Sequence, residues 1–153
     1  MQEYANNIKN QKEDRAQIEQ KQYDSNKKSI SEELTVTETK LKLKEYGIVD
    51  SILLEGKRSI VITFDYTNNR EANDMFGAIV GKATESRLIL YQDGIELRPD
   101  GVLAMKKNYD SLIKQGATIE TIYGFTLENE TSDIEVELMN YSGEKSTCII
   151  KLN

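Results

Sequence analysis

The sequence predicts an all-β protein, an antiparallel β-sandwich of about seven strands preceded by a polar N-terminal segment. Three observations indicate this class. Apolar and polar residues alternate in short runs after residue 34, as they do in strands with one buried face. Turn residues separate these runs, and no long helical pattern interrupts them. The 153 residues are 38% hydrophobic, which is enough for one small core.

The N-terminal segment, residues 1–33, contains neither glycine nor proline and is rich in Asn, Gln and charged side chains. Its few large apolar residues form no stripe at spacings of three and four. Such a segment buries too little surface to offset the entropy of ordering it. We therefore expect a solvated helix or a disordered tether, with a partner-binding helix as the alternative. The predicted division is a leader at 1–33 and a sandwich domain at 34–153.

The strand pattern is clearest in four runs of the sandwich domain. They lie at residues 60–66, 119–127, 134–138 and 148–152. Each run places apolar side chains at every second position, which is the period of a pleated strand. Weaker patterns predict further strands at 36–46, 48–54, 76–91 and 95–105.

Turn residues between the runs predict specific backbone conformations. Asp93-Gly94 is typical of a tight hairpin whose two central residues both have positive φ. Gly116 stands where a loop enters a strand, and a positive φ is expected there because a Cβ would oppose it. Asn68 ends a strand, where its side chain can bind its own backbone.

The composition excludes several classes of chemistry. The chain has no histidine, which rules out a histidine triad or a histidine zinc site. The single cysteine, Cys148, lies in an alternating run and is expected to be a buried small apolar residue. No phosphate-binding glycine loop or nucleophile motif is present. We therefore predict a protein that is not an enzyme, with no catalytic, cofactor-binding or metal-binding residues.

The charge pattern argues against two kinds of partner. A net charge of −6 is the wrong sign for nucleic-acid binding. The acidic run at 128–137 could suggest calcium, but it lacks the spacing of a calcium loop. Glu135 and Glu137 alternate with apolar residues, so we expect them on the solvated face of a strand.

The amino-acid sequence alone does not decide the cellular compartment of the protein. No run of the chain reaches the length of an apolar membrane span, and no signal peptide precedes the first strand. The protein is then either cytosolic or preceded in its gene by an export signal that this chain lacks.

Four blocks of the sandwich domain resemble one known family in their order and spacing. They are SIVITFDYTN at 59–68, YQDGIEL at 91–97, IKQGAT at 113–118 with the strand reaching GFTL at 127, and TSDIEVEL at 131–138. This series resembles the DUF5067 and DUF4352 domains, in the group of the mycobacterial immunoprotective extracellular protein. Gln115 departs from that family's pattern, which often has proline there. The resemblance covers roughly residues 35–153.

The resemblance implies an immunoglobulin-like sandwich and secretion or lipid anchoring in Gram-positive bacteria, with no established catalytic residues. The predicted function is a non-catalytic binding module, outside the cell or anchored to its envelope, for a protein or cell-wall partner. The protein would contact the membrane only through an N-terminal anchor that is removed or lipidated. The alternative is a structural or assembly protein, such as one from a mobile element, that oligomerises through its N-terminal segment.

Candidate binding residues come from two polar turn regions, because such loops can vary without disturbing a core. They are Asn68, Asn69, Arg70, Asp74, Tyr91 and Asp93. Tyr91 also has the polar-tipped aromatic side chain that suits an interface, although capping the end of the core is the more ordinary role for such a residue.

Overall fold

The fold was analysed in a computed structural model, which describes residues 15–80, 86–100 and 106–152. Its elements, in chain order, are helix α1 (15–26), β1 (Lys28–Thr35), β2 (Thr39–Asp50), β3 (Arg58–Asn68), helix α2 (Phe76–Val80), β4 (Ser86–Gln92), β5 (Ile95–Glu96), β6 (Pro99–Asp100), β7 (Thr118–Thr126), β8 (Ile134–Asn140) and β9 (Lys145–Ile150).

The strands form two antiparallel sheets that pack as a sandwich, which confirms the predicted fold class. The first sheet has the order β1-β2-β3-β7-β6, and the second has the order β5-β4-β8-β9. The described residues contain nine strands rather than about seven, because the structure adds the two-residue strands β5 and β6.

The core lies between the inner faces of the two sheets. In β3, Ile60 and Ile62 point inward, as Leu88 and Leu90 do in β4. Phe76 of α2 lies within the same core, with its ring centroid 5.3 Å from that of Phe64. The alternate residues of β3 lie on the outer face of the first sheet, part of which α1 covers through Tyr23.

All four weak strand predictions need correction. The run at 95–105 holds only the two-residue strands β5 and β6 within its described residues. The run at 76–91 is not one strand, because its first residues form α2 and the strand in its described part begins at Ser86. Phe76, Ile79 and Val80 are all buried, so these positions have the spacing of a short helix with one buried face. The runs at 36–46 and 48–54 are not separate strands either, since β2 continues from Thr39 to Asp50.

The expected boundary at residue 34 falls inside the first sheet. β1 begins at Lys28 and pairs with β2, and the helical residues 15–26 precede it. The polar side chains of this segment obscured the strand, since nearly all of β1 is exposed and only Leu34 in it is buried.

Candidate functional site

The sandwich has two ends with different surfaces. We call the end of the first sheet that carries Thr39, Asn68 and Thr118 the polar end. The opposite end, which carries Asp50 and Thr126, is called the apolar end. The register of β2, β3 and β7 places these residues at opposite ends of their strands.

Three apolar side chains are exposed at the apolar end. In the connection between β2 and β3, Leu53 is 56% exposed and Leu54 is 39% exposed. Ile95, which follows the β4–β5 hairpin turn, is 50% exposed. Leu54 and Ile95 line one cleft of about 270 Å³ together with Leu127. Apolar side chains exposed together on a small domain are typical of an interaction surface.

Two further clefts adjoin this one. A cleft of about 600 Å³ lies along the β2–β3 connection and shares Lys57 with the central cleft. A cleft of about 260 Å³ lies on the other side and shares Glu96 and Arg98 with it. The three clefts therefore form one continuous surface across the apolar end.

The rim of this surface is charged. Arg58 forms ion pairs with Asp50 at 3.3 Å and with Glu130 at 3.8 Å. Lys57 and Arg98 are exposed and form no ion pair with any residue that the structure describes. An apolar centre with a charged, solvated rim is the usual composition of a protein-binding surface.

Gln92 fixes the shape of the loop beside the central cleft. Its side chain is fully buried at the end of β4. Its Nε2 donates to the carbonyls of Asn129 and Ser132 at 2.8 and 2.9 Å. Its Oε1 accepts from the backbone N–H groups of Glu128 and Asn129. One amide side chain thus satisfies four backbone groups of the β7–β8 loop, which would otherwise lose partners on burial.

The hairpin turn at the apolar end has the predicted geometry. Asp93 and Gly94 have φ values of 52° and 78°, which confirms the predicted turn. The Asp93 carboxylate accepts from Asn129 Nδ2 at 3.0 Å and from Ser132 Oγ at 2.8 Å. Asp93 therefore helps to tie this turn to the β7–β8 loop.

Tyr91 lies one residue before Gln92 and is half-buried. Burial and the neighbouring carboxylates of Glu137 and Glu96 raise the pKa of its hydroxyl. Tyr91 pairs with Glu96 and Glu135 in the second sheet, so its ring lies on a strand and not at a loop tip.

The other four predicted binding residues lie at the polar end, so the structure does not bring the six together. Asn68 is fully buried, with its Nδ2 donating to the carbonyls of Ala72 and Ile113. Its Oδ1 accepts from the backbone N–H of Arg70 at 2.9 Å, which confirms the turn role predicted for this asparagine.

Asp74 is also buried. Its carboxylate accepts from the N–H of Met75 at 2.8 Å and lies 3.9 Å from the Arg70 guanidinium. Asn69 alone among these four is exposed, and it lines a polar cleft of about 440 Å³ with Arg70 and Gln115. Asn68 and Asp74 thus have structural contacts at this end and present little surface to a partner.

Three other sequence expectations can be compared with the structure. Cys148 is buried, as predicted, and burial raises the pKa of its thiol to about 11. Glu135 is exposed as expected, but the expectation for Glu137 was wrong. Glu137 is buried and its carboxylate lies 3.1 Å from the Lys145 ammonium, because β9 supplies a cation beside it.

Sequence reasoning placed a candidate loop at 91–95, which ends at Ile95, but it missed Leu53 and Leu54. These two leucines stand next to turn residues, and that position was the available signal for their exposure. The sequence around Gln92 did not indicate its role, since the backbone groups that it binds lie about forty positions further along the chain.

Two searches of the described residues concern metals and membranes. No group of three or more His, Cys, Asp or Glu side chains is placed to hold a metal ion in the part of the chain that the structure describes. No helix in those same ranges is long and apolar enough to cross a membrane.

Solved structures with a similar fold come from Bacillus and Clostridium species. A candidate lipoprotein (ycdA) from Bacillus subtilis aligns with a TM-score of 0.60 and 12% identity, over 80% of this chain. The chain spans only 39% of the length of that protein. A conserved hypothetical protein from Bacillus anthracis aligns with a TM-score of 0.52 and 13% identity, over 79% of this chain and 94% of the other.

A third structure is an uncharacterised β-sandwich protein from Clostridium difficile, with a TM-score of 0.51 and 12% identity. The alignment covers 80% of this chain and 91% of that protein, and likenesses at this identity show the fold alone. Comparison with curated proteins found no match. The resemblance to DUF4352 stays a prediction. A family model described as a domain of unknown function, DUF5067, matches residues 8–140, and the chain therefore belongs to the DUF5067 family.

Proposed function

We propose that this chain is a non-catalytic binding module of a Gram-positive bacterium, outside the cell or anchored to its envelope, and that it binds a protein partner at the apolar end. The observation that carries this proposal is the exposure of Leu54 and Ile95 in one of several connected clefts, next to the exposed Leu53. Covering such side chains removes apolar surface from water, which favours association.

A protein partner fits this surface better than a cell-wall polymer. The apolar centre is aliphatic, and aliphatic side chains favour the packing of another apolar surface. The residues that line the three clefts include no exposed aromatic side chain on which a sugar ring could stack. The clefts adjoin one another along the end of the sandwich.

A binding role without catalysis is supported by the protonation and the surroundings of the side chains that could act as nucleophiles. The thiol of Cys148 is buried and has a raised pKa, so it is protonated at neutral pH. The chain has no histidine that could activate a serine.

The envelope location is supported by the structural likeness to the Bacillus subtilis candidate lipoprotein. The coding sequence upstream of Met1 tests this part of the proposal. An export signal with a lipidation cysteine would support it, whereas an in-frame stop codon directly before Met1 would contradict it.

Site-specific photocrosslinking tests the binding surface. A photoreactive amino acid is placed at the position of Leu54 or Ile95, and at the position of Asn69 as the matched control. Each protein is exposed to the envelope proteins of its own bacterium. We expect one adduct of defined mass from the two apolar-end positions, competed by unlabelled wild-type protein. Equal labelling from the Asn69 position would contradict the proposal.

Oligomerisation through the N-terminal segment stays a prediction. In the described part of that segment, Glu19 and Tyr23 are buried, and Tyr23 packs against Val49 and Val61 of the chain's own sheet. Light scattering on the full chain and on a chain beginning at Lys28 would measure any assembly that depends on α1.

A further inference from the structure

Helix α1 covers part of the outer face of the first sheet through a small contact of its own. Tyr23 is buried there with Val49 and Val61, in a cluster separate from the main core. The Tyr23 hydroxyl lies 2.6 Å from Thr63 Oγ1. Because this cluster is small, the apolar contribution to docking is modest compared with that of the core.

The contact is specific in its geometry. A Cβ on Gly47 would lie 2.8 Å from Cδ2 of Tyr23, so only glycine lets the ring approach the strand this closely. Asn26 binds both the N–H and the carbonyl of Ile48, at 2.7 and 2.8 Å. Gln22 binds the backbone N–H and the carboxylate of Asp50, both at 2.9 Å.

A buried carboxylate lies on the same face of the sheet. Asp100 pairs with Gly124, which pairs with Val61, so Asp100 shares the outer face with Val61. The Asp100 side chain is fully buried, and its Oδ2 accepts from Ser51 Oγ at 2.9 Å and from Ser59 Oγ. Its Oδ1 has no hydrogen-bond partner in the described structure.

A second carboxylate reaches this region from α1. Glu19 is only 4% exposed, and its Oε2 has no hydrogen-bond partner among the described residues. Burial and, secondly, the charge of Asp100 raise the pKa of Glu19 from its ordinary value of 4.5 to about 7, against an opposing effect of Arg15. Two ionised carboxylates that are both buried on the same side of the sheet would repel each other, because little water screens their charges.

No other described group supplies a compensating cation to Glu19. From the sheet, Ser51 and Ser59 offer hydroxyls that Asp100 already uses. Arg58, at the adjacent end of β3, is ion-paired with Asp50 and Glu130. From the helix itself, Arg15 is the one charged group that favours ionisation of Glu19.

We propose that α1 is a proton-operated latch, which docks on the outer face of the first sheet when Glu19 is neutral and is released when Glu19 ionises next to Asp100. Release uncovers Val49 and Val61 while the main core stays intact, because these two residues belong to the separate cluster.

The direction of the pH dependence follows from the raised pKa. An acid with a higher pKa in the docked state binds its proton more tightly there, so low pH favours docking. The docking equilibrium is unaffected below about pH 4.5 and falls as pH rises to about 7, above which it levels off. The decrease is at most about tenfold per pH unit across that interval.

Hydrogen exchange of the full chain, measured as protection factors between pH 4.5 and pH 8, tests the latch. We expect protection of residues 15–26 to fall at least about tenfold with rising pH, while that of β3 stays constant. Glu19→Gln should keep the helix protected throughout, because its amide carries no charge. Asp24→Asn is the matched control, since it removes an exposed carboxylate from the same helix and should behave as wild type. Gly47→Ala serves as the control for the released state at every pH, because its Cβ would clash with the docked ring of Tyr23.

Three results would overturn the proposal. One is constant helix protection in the wild-type protein across this pH range. Another is the same pH dependence in Glu19→Gln as in wild type. The third is helix protection in Asp24→Asn that no longer depends on pH, which would place the titrating group at Asp24 and not at Glu19.

Discussion

The two ends of the sandwich hold their loops by the same kind of hydrogen bonding but present different surfaces. A buried amide fixes the loop at each end, Asn68 at the polar end and Gln92 at the apolar end. At the apolar end Leu54 and Ile95 are exposed above the fixed loop and line a cleft, whereas Leu112, exposed beside the loop that Asn68 holds, does not line the cleft described at the polar end. The comparison teaches that a buried polar network sets loop shape, whereas affinity for a partner depends on what the shaped loop leaves uncovered.

The largest loss of stability is expected for Gln92→Ala. Four backbone groups of the β7–β8 loop lose their partner, which should lower the free energy of unfolding by about 3 kcal/mol. Because this loop borders the central cleft, capture of the crosslinked partner should weaken as well. Urea denaturation measures the first effect and a binding titration the second. Partner binding at the wild-type level in this variant would show that the shape of the β7–β8 loop does not contribute to the binding surface.

Asn68→Ala should cost about 2 kcal/mol in unfolding free energy, because three hydrogen bonds are lost in a buried turn. Partner binding should stay at the wild-type level, since the polar end takes no part in it. The same two measurements apply. A binding loss as large as that of Gln92→Ala would contradict the assignment of the two ends.

A matched pair of glycine substitutions makes the same backbone change at each end. Gly116 and Gly94 have φ values of 85° and 78°, and a Cβ on either would meet no atom within 4 Å. Each change to alanine should therefore cost about 1 kcal/mol through backbone strain alone. Thermal denaturation should show similar losses, and only Gly94→Ala should alter the on-rate or off-rate of the partner.

The smallest effect on stability is expected for Leu54→Ser combined with Ile95→Ser. Both side chains are exposed, so the unfolding free energy should change by less than about 0.5 kcal/mol. Partner affinity should nevertheless fall at least about tenfold, because these side chains are buried only in the complex. A calorimetric titration measures this decrease, with Asn69→Ala and Arg70→Ala together as the control. Wild-type affinity in the double serine variant would contradict the proposed surface.

The strands of the core could be read from the sequence because their alternation is local. Ile60 and Ile62 in β3, and Ile134 and Val136 in β8, are buried at every second position, as predicted. The pattern failed at Phe76, where three apolar residues at helical spacing lie next to a true strand. Local periodicity therefore predicts long half-buried strands and misses a single turn of helix between them.

The site could be predicted only in part, because burial of polar residues depends on distant contacts. Asp93 and Gly94 revealed their turn through local backbone chemistry. Asp100 is buried because hydroxyls from Ser51 and Ser59, more than forty positions earlier, reach its carboxylate. No spacing rule within one strand indicates such a contact, and the same holds for the approach of Glu19 to Asp100.

Hydrogen exchange of the complex with the crosslinked partner tests the central claim most directly. Bound and free proteins are compared at one pH, with backbone protection resolved along the chain. The proposed function predicts increased protection in the connections at 51–57 and 93–98, and no change around 68–74. Increased protection confined to residues 68–74 would contradict it.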